Sequence, residues 1–143
     1  MIALDTNILV YAHRQEFPEH EAARRLLFEL AEGPDLWGLP VFCIGEFLRV
    51  VTHPRLLTPP SPLAVATGDL ELLLESGSVR VLAPGERFAS LLLEVVREAK
   101  ATGNLIFDAQ IVALCREHGV ETLLTDDRDF LRFPAIRVRP LTG

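Results

Sequence analysis

Residues 1–11, MIALDTNILVY, decide how the rest of the chain is read. An apolar run, Ile2–Leu4, ends in a lone carboxylate, Asp5; Thr6 and Asn7 follow, then the apolar Ile8, Leu9 and Val10. The pattern predicts a short buried strand, tipped by an acid, that turns directly into a helix. In open parallel α/β sheets, ligands bind in the crevice outside the carboxyl ends of the strands. Asp5 therefore stands where a functional group belongs, and the carboxylates that matter are those reaching the same sheet edge.

Downstream, helical pattern covers Asn7–His13 and breaks at Phe17-Pro18. A helix follows over about Glu19–Glu32, with Ala22, Leu26, Leu27 and Leu30 on one face and Gly33-Pro34 at its end. Leu36–Leu39 is a short strand, and Pro40 opens an apolar helix over about Val41–His53. The proline-rich stretch His53–Pro62 cannot be regular helix throughout. Leu63–Glu75 is helical, Val79–Leu82 a β-branched strand, and Glu86–Ala101 and Leu105–His118 two further helices, the second stopped by Gly119. Thr122–Thr125 is a strand tipped by Asp126, Asp127 and Asp129, and Ile136–Val138 is a last strand. Strands alternating with helices predict an α/β fold with a mainly parallel sheet covered on both faces. The length predicts one domain over residues 1–143.

Composition narrows the function classes. At 49% hydrophobic residues the chain can bury a sizeable core and is not disordered. Cys43 and Cys115 lie in apolar helical segments with no CxxC spacing, the pattern of buried free thiols in a reducing compartment. The longest uncharged stretch, Leu56–Gly68, contains three prolines and falls short of the ~20 apolar residues that span a bilayer. Asp5 interrupts any apolar leader at the start. A cytoplasmic protein is the expectation. The net charge of −6, carried against thirteen Arg and one Lys, gives bulk charge no role in holding nucleic acid; local arginines matter more.

The carboxylates divide into four groups. Asp5 can cap the helix it precedes, or it can ligate. Glu46 falls off the stripe that helical spacing draws through Val41, Ile44, Phe47, Leu48 and Val51. Taken alone it is a solvated surface residue, and its other reading lines a groove. Asp108 shares a helix face with Ile111, Val112 and Cys115. A first-turn acid is favoured by the helix dipole, but an acid on an apolar face also needs a partner for its charge. Asp126, Asp127 and Asp129 are either an acidic turn or a cluster at the edge Asp5 occupies. Four acidic groups from separated segments are the pattern of a hard-cation site, since Mg²⁺ and Mn²⁺ prefer carboxylate oxygens and water. His13, His20, His53 and His118 show no HxxxH spacing, and no GxxxxGK[ST], GxGxxG or GxSxG motif occurs. Metal-assisted hydrolysis is the chemistry left. A flavodoxin-like receiver also holds an acidic Mg²⁺ pocket at strand ends. It usually pairs acids after its first strand and sets a lysine at a late strand tip, whereas Asp5 is alone and Lys100 lies in a helix.

The segments LDTNILVY, GEFLRVVTHPR, NLIFDAQIVAL and LLTDDRDFLRFP together resemble the PIN-domain ribonucleases, and among them the VapC toxins of bacterial toxin–antitoxin pairs. The resemblance covers essentially the whole chain. It implies a three-layer α/β/α sandwich, Mg²⁺- or Mn²⁺-dependent cleavage of RNA, homodimerisation and inhibition by a cognate VapB-like antitoxin that inserts a tail into the acidic groove. Asp5, Glu46, Asp108 and Asp127 match the family's acidic site, and Asp129 matches a further acid two residues on. Asp126 is an extra acid where many relatives are neutral, and Asp127 is preferred because it keeps the two-residue spacing to Asp129. Thr6, Asn7 and Thr125 match supporting polar positions. Asp5, Asp108, Asp127 and Asp129 are thus the candidate metal ligands, and Glu46 binds the ion or positions water. Arg14, Arg49, Arg128 and Arg132 are candidates for holding RNA. The competing reading is a PIN fold that binds RNA or protein without catalysis.

Overall fold

A computed structural model describes residues 1–142. Its centre is a five-stranded, wholly parallel sheet built from β1 (Ile2–Leu4), β2 (Trp37–Pro40), β3 (Val79–Leu82), β4 (Thr122–Leu124) and β5 (Arg137–Arg139). The spatial order is β3-β2-β1-β4-β5, so the opening strand is the central one. Two of its own residues, Ala3 and Leu4, are fully buried. The chain runs outward from β1 to β2 and β3, then returns to lay β4 on the other side of β1. The strand order reverses between β1 and β4, where open α/β sheets form their ligand crevice. Register is tight there: Leu4 pairs with Leu124, and the Asp5 amide donates to the Leu124 carbonyl at 3.1 Å.

Six helices complete the α/β/α sandwich: α1 (Thr6–His13), α2 (His20–Glu32), α3 (Val41–Val51), α4 (Leu63–Leu74), α5 (Phe88–Ala99) and α6 (Leu105–Glu117). α1 packs on α2 and α3, α3 on α4, and α5 on α6. A short 3₁₀ helix, Arg128–Arg132, follows β4. The prolines of residues 53–62 leave that stretch without regular structure, and Thr58–Pro59 is cis.

Several bounds differ from the pattern read in the sequence: β2 is Trp37–Pro40, so Pro40 closes the strand and precedes α3, α3 stops at Val51, and α5 starts at Phe88. α3 buries Cys43, Phe47 and Val51, a stripe at i, i+4 and i+8, while Val41, Ile44 and Leu48 are half-buried on its flanks. α5 ends at Ala99 rather than Ala101, because Lys100 adopts the left-handed conformation (φ 52°) and its amide bonds back to Arg97. That geometry terminates helices at this position, although glycine supplies it more often. Both cysteines are buried and free. Among the described residues no helix is long and apolar enough to cross a membrane.

At the far end of α1 a polar latch, with the His13 side chain buried and Asp69 exposed, joins three segments. His13 Nδ1 meets Asp69 of α4 at 2.6 Å and Nε2 meets the Ser61 hydroxyl at 2.8 Å, and the ring stands edge-on to Phe47. The acid–histidine–serine order and distances are those of a hydrolase triad. Ser61 is nearly buried, its oxygen is already held by Arg14, and it lines neither cavity that opens nearby. The array fixes the proline-rich stretch to α1 and α4.

Candidate active site

Asp5 caps α1 as the sequence pattern allows: its Oδ1 accepts the Thr6 amide at 2.7 Å. It does more than cap. Its Oδ2 accepts the Thr125 hydroxyl at 2.7 Å, and the Cys43 thiol lies 3.9 Å from Oδ1. Thr125 is the hub of the site. Its single hydroxyl hydrogen goes to Asp5, and its lone pairs accept from Asn7 Nδ2 (3.2 Å) and from the Asp127 amide (3.0 Å). One buried threonine at the tip of β4 thus ties the acid after β1 to the acid after β4.

The TDDRD run resolves into different roles. Asp126 turns away and accepts the Leu141 amide at 2.8 Å, anchoring the chain end. Asp127 Oδ1 caps the 3₁₀ helix by accepting the Asp129 amide at 2.9 Å. Asp108, in the first turn of α6, completes a cluster: Asp108, Asp127 and Asp129 each offer a carboxylate oxygen within 4.8 Å of the others. Asp5 lies beside this group rather than within it, and Glu46 is exposed on α3.

The electrostatics show how closely the acids crowd. Burial, reinforced by Glu46 and Asp127, raises the Asp5 carboxyl to about 6 even though Thr125 and Thr6 hydrogen-bond its charged form. Burial followed by Asp127, Asp5, Asp129 and Glu46 raises Asp108 to about 7. Five carboxylates from four segments thus share one field, and positive charge is what the site lacks. The side-chain oxygens of Thr6 and Asn7 are buried with no partner, which further marks the region as an incomplete polar site. An all-oxygen donor set of this kind suits a hard divalent cation. Burial holds the Cys43 thiol well above its ordinary range, so it touches Asp5 as a neutral packing group. The sequence reading left Cys43 as a buried thiol because its proximity to Asp5 is purely tertiary.

The arginines separate. Arg49, Arg128 and Arg132 are exposed, and among the described residues none forms an ion pair. Arg14 is paired with Glu16 and bonded to Ser61, with its side chain 12% exposed. It lies nine residues along α1 from Asp5, about 13 Å at helical rise. Arg14 is therefore removed from the expected set of free groove cations. A separate apolar groove of about 280 Å³, lined by Leu27, Phe28, Leu72 and Leu73 among others, opens between α1, α2 and α4; none of the clustered carboxylates lines it.

Acids gathered at the strand-order reversal of a five-stranded parallel sheet make a carboxylate centre suited to a divalent cation, and comparison with known proteins gives its family. Residues 2–136 match the PIN domain. The chain is 38% identical to VapC ribonuclease Mb2897 of Mycobacterium bovis over 100% of its own length and 97% of that protein. It is 39% identical to ribonuclease VapC48 of Mycobacterium tuberculosis, with 97% of each covered. The chain belongs to the PIN-domain family, within its VapC ribonuclease branch. Among solved structures, VapBC2 from Rickettsia felis bound to a DNA fragment from its promoter superposes with a TM-score of 0.71 at 19% identity, covering 98% of both chains. That likeness supports the fold.

Proposed function

We propose that the protein is a metal-dependent endoribonuclease of the VapC type, the toxin of a toxin–antitoxin pair. The observation that carries this is the convergence of Asp108, Asp127 and Asp129 on one small volume, with Asp5 locked alongside through Thr125. In this reading Asp108, Asp127 and Asp129 hold a divalent ion, Mg²⁺ or Mn²⁺, and Asp5 joins them with the oxygen edge that its hydrogen bonds leave open. Such an ion, when bound, lowers the pKa of a water and neutralises charge growing on the phosphate. The chain's own groups do the rest. Thr6, Asn7 and Thr125 fix the carboxylates before substrate arrives, so little reorganisation accompanies the reaction. Glu46, exposed on α3 and close enough to act electrostatically on Asp5 and Asp108, orients water or accepts its proton in this reading. Arg49, Arg128 and Arg132 meet RNA phosphates at the rim.

The protein partner is a VapB-like antitoxin, as in the VapBC complexes that share the fold. A homodimer extending the groove and a cytoplasmic location belong to the same reading, as does a single nuclease domain over residues 1–143. The test is cleavage of RNA with Mg²⁺ or Mn²⁺ by Asp5→Asn and Asp108→Asn. Each substitution is expected to lower cleavage by more than about 100-fold. Undiminished cleavage by both overturns the proposal.

A further inference from the structure

The protein has eight Phe, one Trp and one Tyr. Among the described residues only two of these aromatic rings are largely exposed, Phe28 at 68% and Phe107 at 63%. Phe28 belongs to the apolar groove between α1, α2 and α4. Phe107 neither forms part of the core nor packs against it. It occupies the position immediately before Asp108, in the first turn of α6. Consecutive helical positions point about 100° apart, so the ring leaves α6 about 100° round from Asp108, into solvent, one residue from the cluster. Leu131, two residues past Asp129 on the 3₁₀ helix, is also exposed. Each of the two segments that carry the clustered acids thus also carries an exposed apolar side chain.

A single exposed apolar residue is ordinary on a protein surface. The electrostatics give this one a use. The chain has a net charge of −6, five carboxylates crowd the site, and Arg14 is already neutralised by Glu16. Of the expected groove cations, a polyanion brought here meets only the exposed Arg49, Arg128 and Arg132 as free ones against this net negative charge, and part of its grip must come from contacts indifferent to charge. A nucleobase stacked on an aromatic side chain is such a contact, worth about 1–3 kcal/mol per base. The base sits one sugar away from its own phosphate, and the Phe107 ring sits one residue away from Asp108.

We propose that Phe107 is a substrate-binding residue: its ring stacks on an unpaired base next to the phosphate held at the Asp108–Asp127–Asp129 cluster. The proposal rests on the nuclease reading above. It assigns affinity and base preference to Phe107 and leaves the chemical step to the acids. A base within a continuous duplex stack cannot present its face to the ring, so the contact selects splayed or single-stranded segments.

The test uses the full chain with a mixed-sequence single-stranded RNA oligomer and the matching duplex. Phe107→Ala and Phe107→Leu are expected to raise KM by about 5- to 100-fold with kcat nearly unchanged, and Phe107→Tyr to restore KM. Phe107→Trp adds a reporter whose fluorescence is quenched by the single strand and not by the duplex; the existing Trp37 is fully buried and serves as a silent reference. An unchanged KM in Phe107→Ala together with an unquenched Phe107→Trp overturns the stacking role. So does a Phe107→Trp signal that follows protein concentration instead of RNA, which places the ring between two copies of the chain. Running the wild type and Asp108→Asn alongside separates the two readings: if the wild type does not cleave, the nuclease reading fails, and if Asp108→Asn cleaves as well as the wild type, Asp108 is not part of the metal centre; an inactive Asp108→Asn beside an unaffected Phe107→Ala removes only the stacking role.

Discussion

Thr125 donates its hydroxyl to Asp5 at 2.7 Å across 120 positions of sequence. The same oxygen receives the amide of Asp127, so one side chain sets the spacing between the acids of the two central strands. Replacing Thr125 by Val keeps the shape and removes both bonds. The expected result is a folded protein whose metal affinity and cleavage fall by about 10- to 100-fold, while Thr125→Ser retains most of both. Calorimetric titration with Mn²⁺ and an RNA cleavage assay read the two effects.

The raised carboxyls make the metal-free protein sensitive to pH. Asp5 titrates near 6 and Asp108 near 7, both above the ordinary value of 3.8. The folded state therefore binds more protons than the unfolded state over that interval. The stability these groups contribute is full below about pH 4 and is lost as pH rises through 6 and 7. Other groups being equal, the metal-free protein should melt at a lower temperature at pH 8 than at pH 5.5. Added Mn²⁺ should reverse the trend, since it binds the deprotonated acids and stabilises by mass action. Thermal melts across that range, with and without Mn²⁺, check the sign; Asp108→Asn should flatten the metal-free slope.

Asp126 and Asp127 are neighbours with separate tasks. Asp126→Asn weakens the anchor to the Leu141 amide, which should cost no more than about 1 kcal/mol and leave cleavage within a few-fold of the parent. Asp127→Asn should abolish cleavage while leaving the fold intact. Equal loss of cleavage in both variants contradicts this division.

His13 is a structural residue despite its triad-like surroundings. Its side chain is 5% exposed and bonds both Asp69 and Ser61. His13→Ala should destabilise the protein by roughly 2–3 kcal/mol and leave cleavage per folded molecule nearly unchanged. Urea denaturation monitored through Trp37, with cleavage normalised to the folded fraction, distinguishes this from a catalytic role.

Much of the architecture is legible in the sequence because the punctuation is strong. The apolar run before Asp5, the Gly-Pro stop after Glu32, the β-branched Val79–Leu82 and the Gly119 terminator each act locally, and each marks an element close to its observed bounds. The acids at strand tips are legible for the same reason, since a strand's end is a local feature. What local pattern cannot supply is the wiring among them. Asn7, Thr125 and Cys43 meet Asp5 only through the β1–β4 pairing and the packing of α3. Glu16 stands two residues from Arg14 and is a local signal that the charge is taken, whereas the Ser61 contact comes only through tertiary packing. Glu46 stays the least legible: helical spacing places it in solvent, where it is found, and only the field it exerts on Asp5 and Asp108 connects it to the site.

The central claim is that Asp108, Asp127 and Asp129 form a divalent-cation site beside Asp5. Isothermal titration of Mn²⁺ into the wild-type chain and into Asp108→Asn, with circular dichroism confirming that both are folded, addresses it most directly. The account predicts saturable binding by the wild type and an affinity at least about 10-fold weaker in Asp108→Asn. Equal Mn²⁺ affinity in the two proteins, or no binding by the wild type, contradicts it.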